Sequence, residues 1–366
     1  MTGHLRGTAI VLAALCVAAG SAACGKAAQV DGPGGLASGS GLEIGVLLPD
    51  STSRFHNFDR PLMQKKIHEL CATCRVEVVS AQHDVATQRQ QVDAMITKKA
   101  KVLILDAVDS RSLRSSVENA RKAGIHVVAY DRLAEGPVSA FASFDGEQVG
   151  RLQGEALLKA LGAKAHGGQI VMMNGASTDP NSAWFRQGAL AALKGKVKIG
   201  KAYETVGWRP VNAHMNMSGA ISALGADSID GVYSANDGLA SGIISALKAA
   251  KIEPLPPVTG QDAELAAMQR IVKGEQYMSV YKPFKPEANA AAAMAVALVR
   301  GEKVGNIAKD KINSPTDHNI PAVLLTPVSV TADNIKDTVI KDGMYTIDQI
   351  CTPKYESACA KAGLTT

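Results

Sequence analysis

The chain has 366 residues, a net charge of +5 and 46% hydrophobic residues, of which few are aromatic (4% Phe, Trp and Tyr). That length exceeds what one hydrophobic core ordinarily organises, so two domains are expected. The positive balance is mild and its Lys and Arg are scattered, which argues against nucleic acid as a partner.

Residues 1–23 read as an export signal: His4 and Arg6, an apolar run over 9–19, then Gly20-Ser21-Ala22-Ala23 before Cys24. The run is too short to span a bilayer, which takes roughly 20 apolar residues. The small residues ahead of Cys24 resemble the bacterial lipoprotein signal, in which cleavage leaves the Cys as a lipid-modified N-terminus. Plain secretion after cleavage near Ala23 is the alternative. Residues 24–41 are rich in Gly, Ala and Ser without periodicity and read as a flexible tether.

From residue 42 short apolar strands alternate with helix-length segments. Strands are expected at 42–48, 75–80, 102–106 and from Val127, with helices at 59–70, 85–98 and 113–123 between them. The pattern restarts after Ser143-Phe144-Asp145. Helices at 147–161, 185–193, 211–223 and 239–250 there alternate with strands at 169–173, near Ala202, at Val232 and at Val258. An alanine-rich helix from Pro283 to Arg300 and a crossing strand at 322–326 follow. Strands alternating with helices imply right-handed crossovers and parallel sheets. The fold class is therefore α/β with two lobes, each a parallel sheet flanked by helices, and several crossings between lobes make a hinge. The expected boundaries are 42–145 with 283–325 for the N-terminal lobe, 146–282 with 326–350 for the C-terminal lobe, and 351–366 as a tail.

Four strands end on polar groups with nothing beside them to bury: Val128-Ala129-Tyr130-Asp131-Arg132, Val232-Tyr233-Ser234-Ala235-Asn236-Asp237, Val258-Thr259-Gly260-Gln261-Asp262 and Val280-Tyr281-Lys282-Pro283. Ligands of open parallel sheets bind outside the carboxyl ends of the strands. Four such ends predict one polar cleft, whereas each alone reads as a structural salt bridge.

Of six cysteines, Cys16 leaves with the signal and Cys24 is reserved for lipid. In an exported chain the remaining local pairs, Cys71 with Cys74 and Cys351 with Cys359, read first as disulfides, with zinc or thiol redox chemistry at the CxxC as the alternative. No nucleotide-binding glycine loop, HExxH or GxSxG is present. All eight histidines read as surface or satisfied polar positions. No cofactor or metal is expected.

Together these stretches, with Ser143-Phe144-Asp145, Leu324-Leu325-Thr326-Pro327 and 334–343, resemble the periplasmic-binding-protein-like receptors of sugar ABC importers, in particular the xylose-binding and multiple-sugar-binding branch. The likeness runs from Ile44 to about Gly343. It implies a cyclic monosaccharide, xylose or a similar aldose, held between the lobes and delivered to a membrane permease by lobe closure. It also implies an exported monomeric receptor, anchored as a lipoprotein on the outer face of the cell membrane or soluble outside it. Carried over by motif, Arg54 and Phe55 match the family's Arg-Trp pair, although one residue more precedes Asp59. Asp131 and Arg132 match the first lobe's paired hydroxyl ligands. Asn181 matches the second-lobe amide and Trp208 a stacking ring, and Asn236, Asp262 and Lys282 complete the shell. Phe58, Phe144 and Trp184 are further candidate walls. The same lobes also serve sensors that signal to a membrane kinase. A sugar hydrolase would need two carboxylates about 5 to 10 Å apart with one held as an acid.

Overall fold

The computed structural model describes residues 43–49 and 54–365. The export signal, Cys24 and the tether of the sequence reading lie outside them. The elements run β1 (Ile44–Leu48), α1 (Arg60–Leu70), β2 (Val76–Ser80), α2 (Val85–Thr97), β3 (Val102–Leu105), α3 (Arg114–Lys122), β4 (His126–Tyr130) and β5 (Ala140–Phe144). The second series is α4 (Gly146–Leu161), β6 (Gln169–Asn174), α5 (Pro180–Leu193), β7 (Lys198–Glu204), α6 (Pro210–Leu224), β8 (Gly231–Ser234), α7 (Asp237–Ala249), α8 (Leu265–Val272) and β9 (Ser279–Tyr281). Then come α9 (Phe284–Val299), β10 (Asp310–Ile312), β11 (Ile320–Leu325), β12 (Val328–Val330), α10 (Ile347–Ile350) and α11 (Glu356–Lys361).

Buried runs such as Val-Leu-Ile-Leu in β3 need cover on both faces of the sheet. Alternation along the strands divides them between two cores. Val46, Ile104 and Val128 face α1 and α9, while Leu47, Leu103, Leu105 and Val127 face α2 and α3. On α9 the inward residues are Ala288, Ala291, Ala292 and Ala295, small enough to let the helix lie close to the sheet. The sheet order is β10-β11-β5-β4-β3-β1-β2, parallel apart from the edge strand β10.

In the second lobe β7-β6-β8 are parallel. Single bridges Val232–Val258 and Gln261–Val280 extend them to β9, which pairs antiparallel with β12. Each lobe is thus dominated by a parallel sheet with an antiparallel strand at its edge. The glycine at 150 lets α4 and α5 touch, because a Cβ there would overlap the Phe185 carbonyl. The chain passes between lobes after β5, after β9 and after β11. Asp145 N–H donates to the Leu325 carbonyl at 3.0 Å and ties two of these passages together.

Two local expectations are corrected. The strand expected at Val258 makes only one bridge to β8. The helix expected from residue 185 starts at Pro180, because Asp179 caps it by accepting the Asn181 N–H at 2.9 Å and a proline suits the first turn. The short elements α8, β10, β12, α10 and α11 carry too little periodicity to be read in advance. Both expected disulfides, Cys71–Cys74 and Cys351–Cys359, are formed.

Candidate functional site

The strand ends of both lobes face a cleft of about 1010 Å³. Arg54, Asp131, Arg132, Asn181, Trp208, Asn236, Asp262 and Lys282 all line it. The local backbone explains much of this. β4 stops at Tyr130, and Asp131 takes a left-handed conformation (φ 54°), which Asp tolerates better than most residues. The strict side-to-side alternation of a strand is thereby broken, and consecutive Asp131 and Arg132 both reach the cleft. Asp262 (φ 95°) and Ala263 (φ 51°) form a second such break after the Gln261–Val280 bridge.

Asp131 and Arg132 are committed to different partners. Asp131 lies 3.4 Å from Arg54 Nη1 and 3.5 Å from Lys282 Nζ. Arg132 Nε lies 2.9 Å from Asp179 Oδ2 and 3.5 Å from Asp106 Oδ1, so it reaches from one lobe to the other. Lys282, buried between the ring faces of Phe144 and Phe185, is also 3.2 Å from Asp262 Oδ1. Burial alone would raise the Asp131 carboxyl, but Lys282, Arg54 and Arg132 hold it well below the usual carboxylate range. Lys282 responds in the opposite sense: burial pulls it down, and Asp131 with Asp262 push it above the ordinary lysine value.

Arg54 sits in a buried network of the first lobe. Its guanidinium meets Asp59 at 3.0 Å and Glu287 at 3.1 Å, donates to the Tyr130 hydroxyl at 3.2 Å, and lies 4.4 Å from the Phe284 ring centre. Tyr130 in turn donates to Asp59 at 2.7 Å. Burial raises both Asp59 and Glu287, against the pull of Arg54. This network fixes the guanidinium face that meets Asp131.

The amides are oriented by the chain as well. Asn236 Oδ1 accepts the Leu239 N–H at 2.8 Å as the cap of α7, which leaves its NH₂ as a donor. Asn181 Nδ2 donates to the Asp131 carbonyl at 3.1 Å, spanning the two lobes. Trp208 Nε1 donates to Asp179 Oδ2 at 3.1 Å, and its ring lies over Gly175, where any side chain would collide with it.

Phe55 is the correction. Its ring is 6% exposed and packs in the first-lobe core with Met63 and Ile67, away from the cleft. Residues Phe55–Asp59 form a π-helical turn, which takes one more residue than an α turn. That turn absorbs the extra residue ahead of Asp59, turns Phe55 inward and brings His56, Asn57 and Phe58 to the cleft. His56 and His83 thus stand at the site, where no role had been read for them.

Sequence reasoning also missed Asp179, Phe185, Phe284 and Tyr345 as lining residues, while Gln261, the amide of one of the four polar strand ends, does line the cleft. Only Asp179 carried a signal, the Asp-Pro that opens a helix. Trp184 packs against Phe141 at 6.4 Å instead of lining the cleft, and Phe144 serves beneath Lys282. Among the described residues no group of three His, Cys, Asp or Glu side chains is placed to hold a metal, and no helix is long and apolar enough to cross a membrane.

Two oxygens define what the site offers. Asp131 Oδ1 and Asp262 Oδ1 are buried, lie within ion-pair distance of Lys282, and accept no hydrogen bond from the described residues.

Comparison with known proteins gives one consistent picture. Residues 44–303 match the model of the periplasmic binding protein domain. The chain is 36% identical over 310 residues to the D-xylose-binding periplasmic protein of Escherichia coli, covering 83% of this chain and 91% of that protein. It is 33% identical over 323 residues to a multiple sugar-binding periplasmic protein of Azospirillum brasilense, covering 83% and 89%. Among solved structures, an ABC transporter solute-binding protein of Clostridium phytofermentans with bound β-D-glucose superposes with a TM-score of 0.78 at 30% identity, covering 84% of this chain and 99% of that one.

Proposed function

We propose, for a chain that belongs to the periplasmic binding protein family, that it is an exported receptor which takes a cyclic aldose, D-xylose or a near relative, between its lobes and delivers it to a membrane permease. Its relatives are binding proteins of transport systems, and the chain is a receptor and not an enzyme. The observation that carries the sugar reading is the pair of unused carboxylate oxygens beside Lys282. A sugar hydroxyl donates one proton and accepts through two lone pairs. Asp131 and Asp262 accept hydrogen bonds from hydroxyls, while Lys282, Arg54 and the NH₂ of Asn236 donate to hydroxyl oxygens. Trp208 and Phe185 supply apolar faces for ring C–H groups. Asp131 is held ionised by three cations, which suits a ligand and not a general acid.

Four or five hydrogen bonds to charged groups, at about 1.5–3 kcal/mol each and less the ordering costs, reach the roughly 8 kcal/mol of a micromolar complex. In this reading the N-terminal lobe comprises 42–145 with 283–325 and the C-terminal lobe 146–282 with 326–350. Cys24 carries the lipid that anchors the receptor outside the membrane, and mass spectrometry of the mature chain checks that step. Calorimetric titration with D-xylose, D-glucose, D-galactose and L-arabinose tests the main claim. Micromolar or tighter binding of at least one aldose is expected, and no heat from any of them overturns it.

A further inference from the structure

The mouth of the cleft carries a contact that the sugar-binding residues do not need. Phe58, on the π-helical turn of the first lobe, stands with its ring centre 6.4 Å from that of Tyr345 at an angle of 79°, edge to face. Behind Phe58 lies Phe284 at 5.1 Å, whose face is in turn covered by Arg54. Tyr345 belongs to the C-terminal segment, which packs on α8 of the second lobe together with Ile335, Val339 and Ile350. All three rings line the cleft.

Both partners are held from behind. Met344 N–H donates to the Val339 carbonyl at 2.9 Å, Gly343 turns the chain in the left-handed region (φ 73°), and Thr346 and Gln349 cap each other at the start of α10. The Cys351–Cys359 disulfide closes the same segment. Tyr345 stands with Leu265, Glu264 and Asp262 on the wall of the cleft. Phe58 is fixed by the turn whose next residue, Asp59, is bound to Arg54 and Tyr130. Two rigidly mounted rings, one from each lobe, therefore meet in the edge-to-face geometry that aromatic pairs prefer.

We propose that Phe58 and Tyr345 form an aromatic clasp across the mouth of the cleft, and that this clasp sets how long a bound sugar stays. This rests on the sugar-receptor reading above. Ligand leaves only when the lobes part, and parting them breaks the ring contact and wets two half-buried aromatic side chains. The clasp thus acts on release, while the charged groups deeper in the cleft decide which hydroxyls are recognised.

The test is a double-mutant cycle on the full mature chain with Phe58→Ala, Tyr345→Ala and both together, following dissociation of D-xylose and D-glucose by stopped-flow fluorescence. Each single change is expected to speed dissociation by about two- to twelve-fold, the range of an aromatic pair. The association rate should move little, and the double variant should dissociate hardly faster than either single one. Tyr345→Phe keeps the ring and is expected to restore slow release. Unchanged dissociation rates, or effects of the two changes that simply multiply, overturn the clasp. If the wild-type chain binds neither sugar, the receptor reading fails for these ligands, and the clasp is then read from the same cycle in thermal unfolding without ligand. Coupling between the two changes supports it there, and full additivity removes it.

Discussion

β4 and β8 both run from buried apolar residues towards a carboxylate, Asp131 after the one and Asp237 after the other, with side chains almost equally hidden. Their surroundings differ in the number of cations. Asp131 is met by Lys282, Arg54 and Arg132, and these cations hold it ionised against the effect of burial. Asp237 is met by neutral donors: Gln276 Nε2 at 2.7 Å, Ser279 Oγ at 2.8 Å and the Glu264 N–H at 2.9 Å. Arg270 also stands close, donating to the Asp237 carbonyl at 2.9 Å, yet burial, and after it the carboxylate of Glu264, push Asp237 up to about 8 against its pull. What separates the proposed ligand group Asp131 from Asp237, which pins the α7–α8 corner, is the balance of charge around each, since both are buried. Of the two, Asp131 alone keeps an oxygen that accepts no hydrogen bond from the described residues.

The largest expected effect falls on Asp237. Asp237→Ala leaves three buried donors without their acceptor, at about 1–3 kcal/mol each, so a loss of at least about 3 kcal/mol in chemical denaturation is expected. Sugar affinity of the folded protein should change less than about twofold, below 0.5 kcal/mol. The pH dependence sharpens the contrast. Folded Asp237 keeps its proton up to about pH 8, whereas an unfolded Asp releases it near 4. Folding therefore takes up a proton between those values, and the stability from this group is full below about pH 4 and is lost as pH rises towards 8. Its slope is at most about 1.4 kcal/mol per pH unit. Asp237→Asn should make that slope shallower, while Glu264, itself pushed up to about 7 by burial and by Asp262, keeps a slope of its own; an unaltered slope breaks the comparison. Asp131 has the opposite sign: its contribution is present above about pH 4 and is lost on acidification.

Asp131→Ala comes next. Removing it leaves a sugar hydroxyl and the Lys282 ammonium short of a partner inside the cleft, for a loss of at least about 2–3 kcal/mol in binding. That is roughly a 30-fold to 100-fold weaker Kd. Calorimetry and a melting curve on the same variant decide between roles. A lowered melting temperature with unaltered affinity makes Asp131 a structural group like Asp237.

How much of this was legible follows from the distances along the chain. The alternation of β1 to β4 with their helices is a local pattern and was read correctly, whereas β5, which follows β4 with no helix between them, was not read as a strand. The polar strand ends were visible because an acid or amide after a buried run has to face outward. The partners were not visible. Lys282 comes to Asp131 across 151 positions, the difference between the two residue numbers, and no periodicity announces such a meeting. Asp131 and Asp237 therefore looked alike, since each is judged by neighbours that the fold, not the strand, supplies. The rim failed for another reason. A π-helical turn shifts every later side chain by one place, so Phe55 goes to the core and Phe58, read only as a further candidate wall, takes its place at the cleft without any change in composition.

The smallest effect tests that exchange, with Phe55→Leu and Phe58→Leu as a matched pair. Both swaps remove an aromatic ring and keep an apolar side chain, so they differ only in where the ring stood. Phe55 is buried among Met63 and Ile67, and leucine there leaves unfilled volume in a packed core. The expected loss is about 1 kcal/mol of stability, with the Kd for sugar unchanged. Phe58 is half-buried at the cleft, so leucine should leave the melting temperature nearly where it was and weaken the Kd by about two- to fivefold, through the lost ring face. If Phe55→Leu weakens binding and Phe58→Leu does not, the turn at 55–59 is wound the other way in the working receptor, with Phe55 in the place of the family's tryptophan.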